Sequence, residues 1–182
     1  MITRKRAFIS CLFYMICLVW IISFKMNMET PIFECMYYFG QFTIEERLAM
    51  TFSTFKLSEL INGIDFFVNM CFFMPVGVYC FELLKKHKFI KGLGIAFLLS
   101  LIFEIIQLFT TVGFFTINDL VSNTLGFVIG YLLYLLLNKL LSKKTMYYIF
   151  NIATIFFIVL AMYGVVNTVA NIEIYSLDYY LK

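Results

Sequence analysis

The amino-acid sequence predicts an all-α, polytopic membrane protein, a bundle of about five transmembrane helices. Of its 182 residues, 63% are hydrophobic and only 14% are charged, whereas a soluble domain is about half apolar and about a quarter charged. Several apolar runs approach the ~20 residues that a helix needs to cross a bilayer. These runs do not alternate in polarity as the strands of a membrane barrel would. The length accommodates one membrane domain, residues 1–182, and no second folded module.

The predicted spans follow from the positions of the apolar runs. In chain order they are Ala7–Phe24, Ile64–Leu84, Leu93–Val112, Asp119–Leu141 and Met146–Val166. The first run follows three basic residues, as the apolar part of a signal peptide would, but no small-residue cleavage site comes after it. We therefore predict that it remains as an uncleaved first helix.

The basic residues predict the orientation of the bundle. Ten of the fourteen Lys and Arg residues flank the spans on one side: Arg4, Lys5, Arg6, Lys85, Lys86, Lys88, Lys91, Lys139, Lys143 and Lys144. Because cytoplasmic loops are enriched in basic residues, we predict a cytoplasmic N-terminus and an outside C-terminus. On this topology the aromatic segment 25–63 is an extracytoplasmic loop, in which Thr43-Ile44-Glu45-Glu46 has the pattern of a capping box that opens a short helix.

Polar side chains within three of the spans are the main functional signal. Steps of four, three and four residues place Ser100, Glu104, Gln107 and Thr111 on one face of the third span. A carboxylate such as that of Glu104 is costly in lipid unless it is paired, protonated or in contact with water, which makes it a functional candidate. Steps of three and four residues also relate Asn62, Asp65 and Asn69, in and just before the second span. Steps of four, three and four relate Asp119, Asn123, Gly126 and Gly130 in the fourth span.

The helical rise places Asn69, Glu104, Gln107 and Asn123 within ~12 Å of the outer surface. We therefore predict an outward-facing polar pocket between the second, third and fourth spans, and nothing comparable in the inner half of the membrane. Its predicted lining is Asn69, Ser100, Glu104, Gln107, Asp119 and Asn123. The residues assigned to helix packing are Pro75, Gly77, Gly126 and Gly130. Two alternatives stay open: the amides of Asn69, Gln107 and Asn123 could instead join helices, and Asp119 could be a helix N-cap.

Three segments resemble the VanZ-like family of bacterial membrane proteins. They are Asn69 with Phe73-Met74-Pro75-Val76-Gly77, then Ser100-x-x-x-Glu104-x-x-Gln107, then Asp119-x-x-x-Asn123-Thr124-x-Gly126 followed by Gly130. All three occur in the family's order and spacing, within residues 62–141. The chain departs from the family pattern in two respects: it has no Arg shortly before the Asp119 segment, and no further acidic residue at Thr116 or Asn118.

The resemblance implies a multi-pass protein of the bacterial cytoplasmic membrane with a role in the cell envelope. The family is named for resistance to teicoplanin, and no reaction is implied. Our leading hypothesis is a protein that lowers susceptibility to teicoplanin-type lipoglycopeptides through the predicted pocket, with membrane lipids and a lipid-linked or lipoglycopeptide ligand as partners. One alternative is an intramembrane enzyme acting on a lipid head group or lipid-linked precursor, with Glu104 and Asp119 as the acid–base pair.

A second alternative is a non-catalytic module that binds another membrane protein. The sequence does not decide whether the chain is an enzyme, and it gives no oligomeric state. We predict no metal site and no cofactor, because the single histidine, His87, falls in the predicted cytoplasmic loop, away from the carboxylates of the predicted pocket, and no zinc spacing or phosphate loop is present. We predict no nucleic-acid partner, because the basic residues lie at the ends of spans and form no separate face.

Overall fold

The fold is all-helical in the computed structural model, as the sequence predicts. The structure describes residues 4–23, 40–54, 63–110 and 115–180, and it shows no strand among them. The helices are α1 Arg4–Ser23, α2 Ile44–Thr54, α3 Ile64–Leu83, α4 Lys88–Thr110, α5 Ile117–Leu140 and α6 Lys143–Tyr180. Most of the predicted aromatic loop, including Asn62, lies outside the described residues.

Four of these helices are long and apolar enough to cross a membrane: α3, α4, α5, and residues 143–160 of α6. Helix α1 has 20 residues, which is also the length of a span. Five spans and the predicted orientation of the two ends stay predictions. Helix α6 is much longer than the predicted span, since its 38 residues correspond to ~57 Å. A span prediction marks the apolar part of a helix, and no proline ends this helix before Tyr180.

Helices α3 and α5 have the most extensive contact in the bundle. A Cβ at Gly126 would collide with the carbonyl oxygen of Met70, and one at Gly130 would collide with that of Met74. A Cβ at Gly77 would collide with the backbone of α5. The two helices therefore meet backbone to backbone, which only small residues permit. Pro75 lies inside α3, between these contact points.

Aromatic side chains fill the space beside this contact. Phe73 of α3, Phe103 of α4 and Phe127 of α5 are almost fully buried. The rings of Phe73 and Phe103 pack edge to face, with 6.1 Å between their centroids. In contrast, α1, α4 and α6 expose many large apolar side chains, such as Ile16 and Phe109. Such faces suit contact with lipid, because a bilayer interior is as apolar as these side chains.

Basic side chains form hydrogen bonds to residues of other helices at one end of the bundle, which we call the basic end. Arg4 donates to the carbonyl oxygen of Leu83, and Arg6 donates to the Tyr147 hydroxyl at 2.9 Å. Lys88 donates to the Phe81 carbonyl oxygen at 2.6 Å and lies 4.2 Å from the centre of its ring. The other end, where α4 finishes and α5 starts, is called the opposite end below.

Helix α2 lies at the opposite end and starts with the predicted capping box. The Thr43 backbone N–H donates to Glu46 Oε2 at 2.8 Å, and the Glu46 N–H donates to the Thr43 hydroxyl at 3.2 Å. This reciprocal pair satisfies two backbone donors that a helix start leaves without partners. The predicted capping box is therefore confirmed. The Thr43 N–H and the Thr43 hydroxyl, which donates to the same carboxylate oxygen at 3.0 Å, lower the pKa of the exposed Glu46 carboxyl below its usual value.

Candidate functional site

Four of the polar side chains without exposed surface lie in the half of the bundle toward the opposite end: Ser100, Glu104 and Gln107 of α4, and Asn123 of α5. The first three lie on the face of α4 that the spacing predicts. Asn123 Nδ2 donates to the Ser100 hydroxyl at 2.9 Å, which joins α4 to α5. We call these four residues the buried polar cluster. It is packed inside the protein, and an outward-facing opening to it stays a prediction.

The Glu104 carboxylate reaches the connection between α4 and α5. Its Oε2 accepts the backbone N–H of Thr116 at 2.7 Å. Thr116 is the residue that precedes α5, and its hydroxyl accepts the backbone N–H of Asp119 at 3.2 Å. Glu104 therefore holds in place the residue that caps α5.

The structure corrects the reading of Asp119 as the helix N-cap. Helix α5 starts at Ile117, two residues earlier than the predicted span, and Thr116 is its N-cap. Asp119 is the third helical residue, where a carboxylate faces the partial positive charge of the helix start. Its side chain is 7% exposed. Thr116 was not recognised as a cap from the sequence because Asp119, a good capping residue, is also near the start of the apolar run.

Asn69 is the member of the predicted lining with the weakest link to the cluster. It is half-buried on α3, and the structure shows no hydrogen bond from its side chain among the described residues. Asp65, one turn earlier, is exposed. The structure adds Ser122, which is fully buried and donates to the Asp119 carbonyl oxygen at 3.1 Å. The residues of α5 selected from the sequence were Asp119, Asn123, Gly126 and Gly130. Ser122 was not among them.

A second polar network contradicts the expectation that the half of the bundle near the basic end carries nothing comparable. The Ser10 hydroxyl shares hydrogen bonds of 2.9 Å with Tyr79 and 2.8 Å with Thr154, which join α1, α3 and α6. Nearby, the Tyr134 hydroxyl donates to Glu82 Oε1 at 2.6 Å. Hydroxyl groups cost less free energy to bury than carboxylates or amides do, so these residues were not selected as candidates from the sequence.

A mostly apolar cavity of about 190 Å³ lies between α3, α5 and α6, away from the buried polar cluster. Pro75 and Gly130, both assigned to packing, contribute to its wall, and Tyr134 and Thr154 are among its few polar residues. The cavity is large enough for a hydrocarbon chain segment but offers few hydrogen-bonding groups. The structure also shows no group of three or more His, Cys, Asp or Glu residues that could hold a metal ion among the residues it describes.

Comparison with known proteins identifies the family. The model of the VanZ/LLP1 family matches residues 11–138, well over half of the chain. The chain belongs to the VanZ/LLP1 family. It is 28% identical to Protein VanZ of Enterococcus faecium over 131 residues, which cover 72% of this chain and 74% of that protein. No solved structure matches the chain with significance.

Family membership places the buried polar cluster inside the shared part of the chain. The match starts within α1 and stops two residues before the end of α5, so it includes all four cluster residues as well as Thr116 and Asp119. It leaves out the whole of α6. The VanZ-like resemblance noted from the sequence motifs is therefore confirmed, and the chain is a VanZ-like membrane protein.

Proposed function

We propose that this VanZ-family protein crosses the bacterial cytoplasmic membrane several times and lowers the susceptibility of the cell to teicoplanin-type lipoglycopeptides. The supporting observation is the buried polar cluster, in which the carboxylate of Glu104 is fully enclosed among apolar helices. Intramembrane carboxylates are expensive and generally serve a function. In the predicted orientation the cluster lies in the outer half of the membrane, the side from which a lipoglycopeptide arrives.

The proposed ligand contact is at the opposite end of the bundle, where Thr116 of the connection between α4 and α5 meets Glu104. The Glu104–Thr116 bond attaches this connection to α4. A ligand that competes for either partner would therefore reach the other residues of the buried polar cluster. Such a ligand carries hydrogen-bond donors and an apolar tail, as a lipid or a lipoglycopeptide does. The family's name suggests the antibiotic, and the membrane setting suggests the lipid.

Expression of the wild-type chain in a susceptible Gram-positive host tests this function. We expect the minimal inhibitory concentration of teicoplanin to rise at least fourfold over the empty vector. A glycopeptide that lacks the acyl chain serves as the matched control, and we expect a smaller change for it because it has no tail to engage the membrane. An equal change for both compounds, or no change at equal protein level, would contradict the proposal.

A second candidate is an intramembrane enzyme that acts on a lipid head group or a lipid-linked precursor. One observation favours it: Thr116 contacts both carboxylate-bearing residues, through its N–H to Glu104 and its hydroxyl to the backbone of Asp119. Two carboxyl groups in different environments can divide acid and base roles. Quantitative lipid analysis of deletion and complemented strains tests this candidate. A lipid species that accumulates only in the deletion strain supports it, and identical lipid profiles count against it.

A role in binding another membrane protein has less support. The glycine pair that suggested a helix-docking face, Gly126 and Gly130, is occupied by α3 of the same chain. The buried polar cluster is likewise enclosed within the bundle. Neither feature is therefore presented to a neighbouring protein.

A further inference from the structure

Arg47 is the one basic residue that the structure buries among those it describes. It is on α2, and only 4% of its surface is exposed. Its Nε and Nη1 atoms are enclosed and have no hydrogen-bond partner among the described residues. The exposed acidic residues of α2, Glu45 and Glu46, lie on a different face of this helix. Glu46 is already engaged by the capping box.

A buried guanidinium without a partner is costly. Arginine stays charged in proteins and carries five N–H donors in a planar fork, three of which belong to Nε and Nη1. Transfer of a charge from water into the protein costs several kcal/mol unless a counter-charge and hydrogen bonds offset it. The simplest offset is an anion with several oxygen acceptors. Arginine recognises phosphate particularly well, because the fork matches two phosphate oxygens.

The position of Arg47 connects this anion to the candidate site. One turn further along α2, the Thr51 hydroxyl contacts the Arg47 carbonyl oxygen and also donates to that of Phe115. Phe115 is followed by Thr116, the residue that Glu104 binds. Helix α2 is therefore attached to Phe115, next to the residue that binds Glu104, and the face bearing Arg47 is turned toward the bundle.

The exposed apolar side chains of α2 favour a lipid as the source of the phosphate. Ile44 and Phe52 on this helix are 40% and 67% exposed. Exposed apolar side chains together with charged ones suit a helix that lies in the membrane interface, between hydrocarbon and water. That is the level at which the phosphate groups of phospholipids are concentrated.

We propose that Arg47 binds the phosphate group of an anionic membrane lipid between α2 and the residues just before α5, Phe115 and Thr116. This deepens the proposed function, on which it rests for the membrane setting, by naming the chemical class that the opposite end recognises. The Arg47 site holds the head group.

Lipid binding by the purified full-length protein tests the assignment. Nanodiscs are prepared from a mixture of phosphatidylglycerol and a neutral diglycosyl diacylglycerol that carries no phosphate, and the lipids retained after release are counted by native mass spectrometry. We expect the wild-type protein to retain phosphatidylglycerol selectively. Arg47→Met should weaken this selectivity by about tenfold or more, because the variant removes several charge-assisted hydrogen bonds. Arg47→Lys should bind at an intermediate level, because it keeps the charge but loses the fork.

Lys86→Met is the matched control, since Lys86 is an exposed cation at the basic end, and it should bind as the wild type does. Equal selectivity of Arg47→Met, Arg47→Lys and the wild type would overturn the proposal. A separate arm adds inorganic phosphate to the protein in neutral lipid. Thermal stabilisation by millimolar phosphate that is lost in Arg47→Lys would assign the site to a soluble phosphate compound and overturn the lipid source.

The lipid experiment uses no antibiotic, so its outcome is separate from that of the proposed function. Selective lipid binding in a protein that gives no teicoplanin tolerance supports the Arg47 site and contradicts the proposed function. Tolerance that persists in Arg47→Met, together with unchanged lipid selectivity, contradicts the Arg47 site and leaves the proposed function standing.

Discussion

Glu104 and Thr116 are joined by a 2.7 Å hydrogen bond from the Thr116 backbone N–H to Glu104 Oε2. The bond connects a fully buried carboxylate in the last two turns of α4 to the residue that caps α5. It gives the carboxylate a hydrogen-bond donor, which offsets part of the cost of burying it, and it attaches the residue before α5 to the cluster.

Replacement of Glu104 by Leu should destabilise the protein more than replacement by Gln. Gln keeps an oxygen acceptor for the Thr116 N–H, whereas Leu leaves that buried donor without a partner, which costs about 1–3 kcal/mol. We expect a lower melting temperature in detergent for Glu104→Leu than for Glu104→Gln, measured by intrinsic fluorescence. Equal melting temperatures for the two variants would show that the Thr116 bond does not stabilise the fold.

Gly130→Ala should disrupt the contact between α3 and α5. The added Cβ would collide with the Met74 carbonyl oxygen, so the two backbones must separate. We expect a large loss of monodisperse protein in fluorescence-detected size-exclusion chromatography. Gly94→Ala is the matched control, because a Cβ at Gly94 on α4 meets nothing within 4 Å. A yield of Gly130→Ala similar to that of Gly94→Ala would contradict the close packing of these helices.

The hydrogen bond between Asn123 and Ser100 should be measurable as a coupling energy. Side-chain hydrogen bonds between membrane helices contribute about 0.6 kcal/mol on average and up to about 1.7 kcal/mol. A double-mutant cycle with Asn123→Ala and Ser100→Ala should therefore give a coupling in this range, from reversible unfolding in mixed micelles. A coupling near zero would mean that the two residues do not interact, although both are fully buried.

The capping box of α2 should make this helix sensitive to acid. The bonds from Thr43 lower the pKa of Glu46 below its usual value of 4.5. The ionised carboxylate therefore stabilises the helix above that pH, and the stabilisation is lost as the pH falls through the lowered value. Relative to the wild type, Glu46→Gln should increase amide hydrogen exchange over residues 44–54 at neutral pH, and the difference should shrink in acid. Glu45→Gln is the control and should show no such pH-dependent difference.

The sequence predicted the class of fold and much of the candidate site, because both depend on strong local signals. Apolar runs are long enough to define spans, and the spacing of Ser100, Glu104 and Gln107 can only be one helical face. Their burial and the Asn123–Ser100 bond follow from that face being turned toward α5. The limits of helices were harder to predict, as α6 shows, because an apolar run marks the membrane and a helix can continue beyond it.

Features that depend on tertiary contact were missed. Ser10, Tyr79 and Thr154 are far apart in the sequence and individually unremarkable, and only the packing of three helices makes them a network. The burial of Arg47 was not predicted, since nothing in its sequence neighbours indicates that α2 turns it inward. Thr116 was overlooked as a cap because Asp119, three residues later, is the stronger local signal for a helix start.

The most direct test of the role of the buried polar cluster compares two glutamates at the two ends of the bundle. Glu104 accepts a bond from Thr116, and Glu82 accepts a 2.6 Å bond from Tyr134 near the basic end. The measurement is the minimal inhibitory concentration of teicoplanin for Glu104→Gln and Glu82→Gln, expressed at equal levels in the membrane. We predict that Glu104→Gln abolishes the tolerance given by the wild-type chain and that Glu82→Gln retains it. Full tolerance in Glu104→Gln, or equal loss in both variants, would contradict a function that resides in the buried polar cluster.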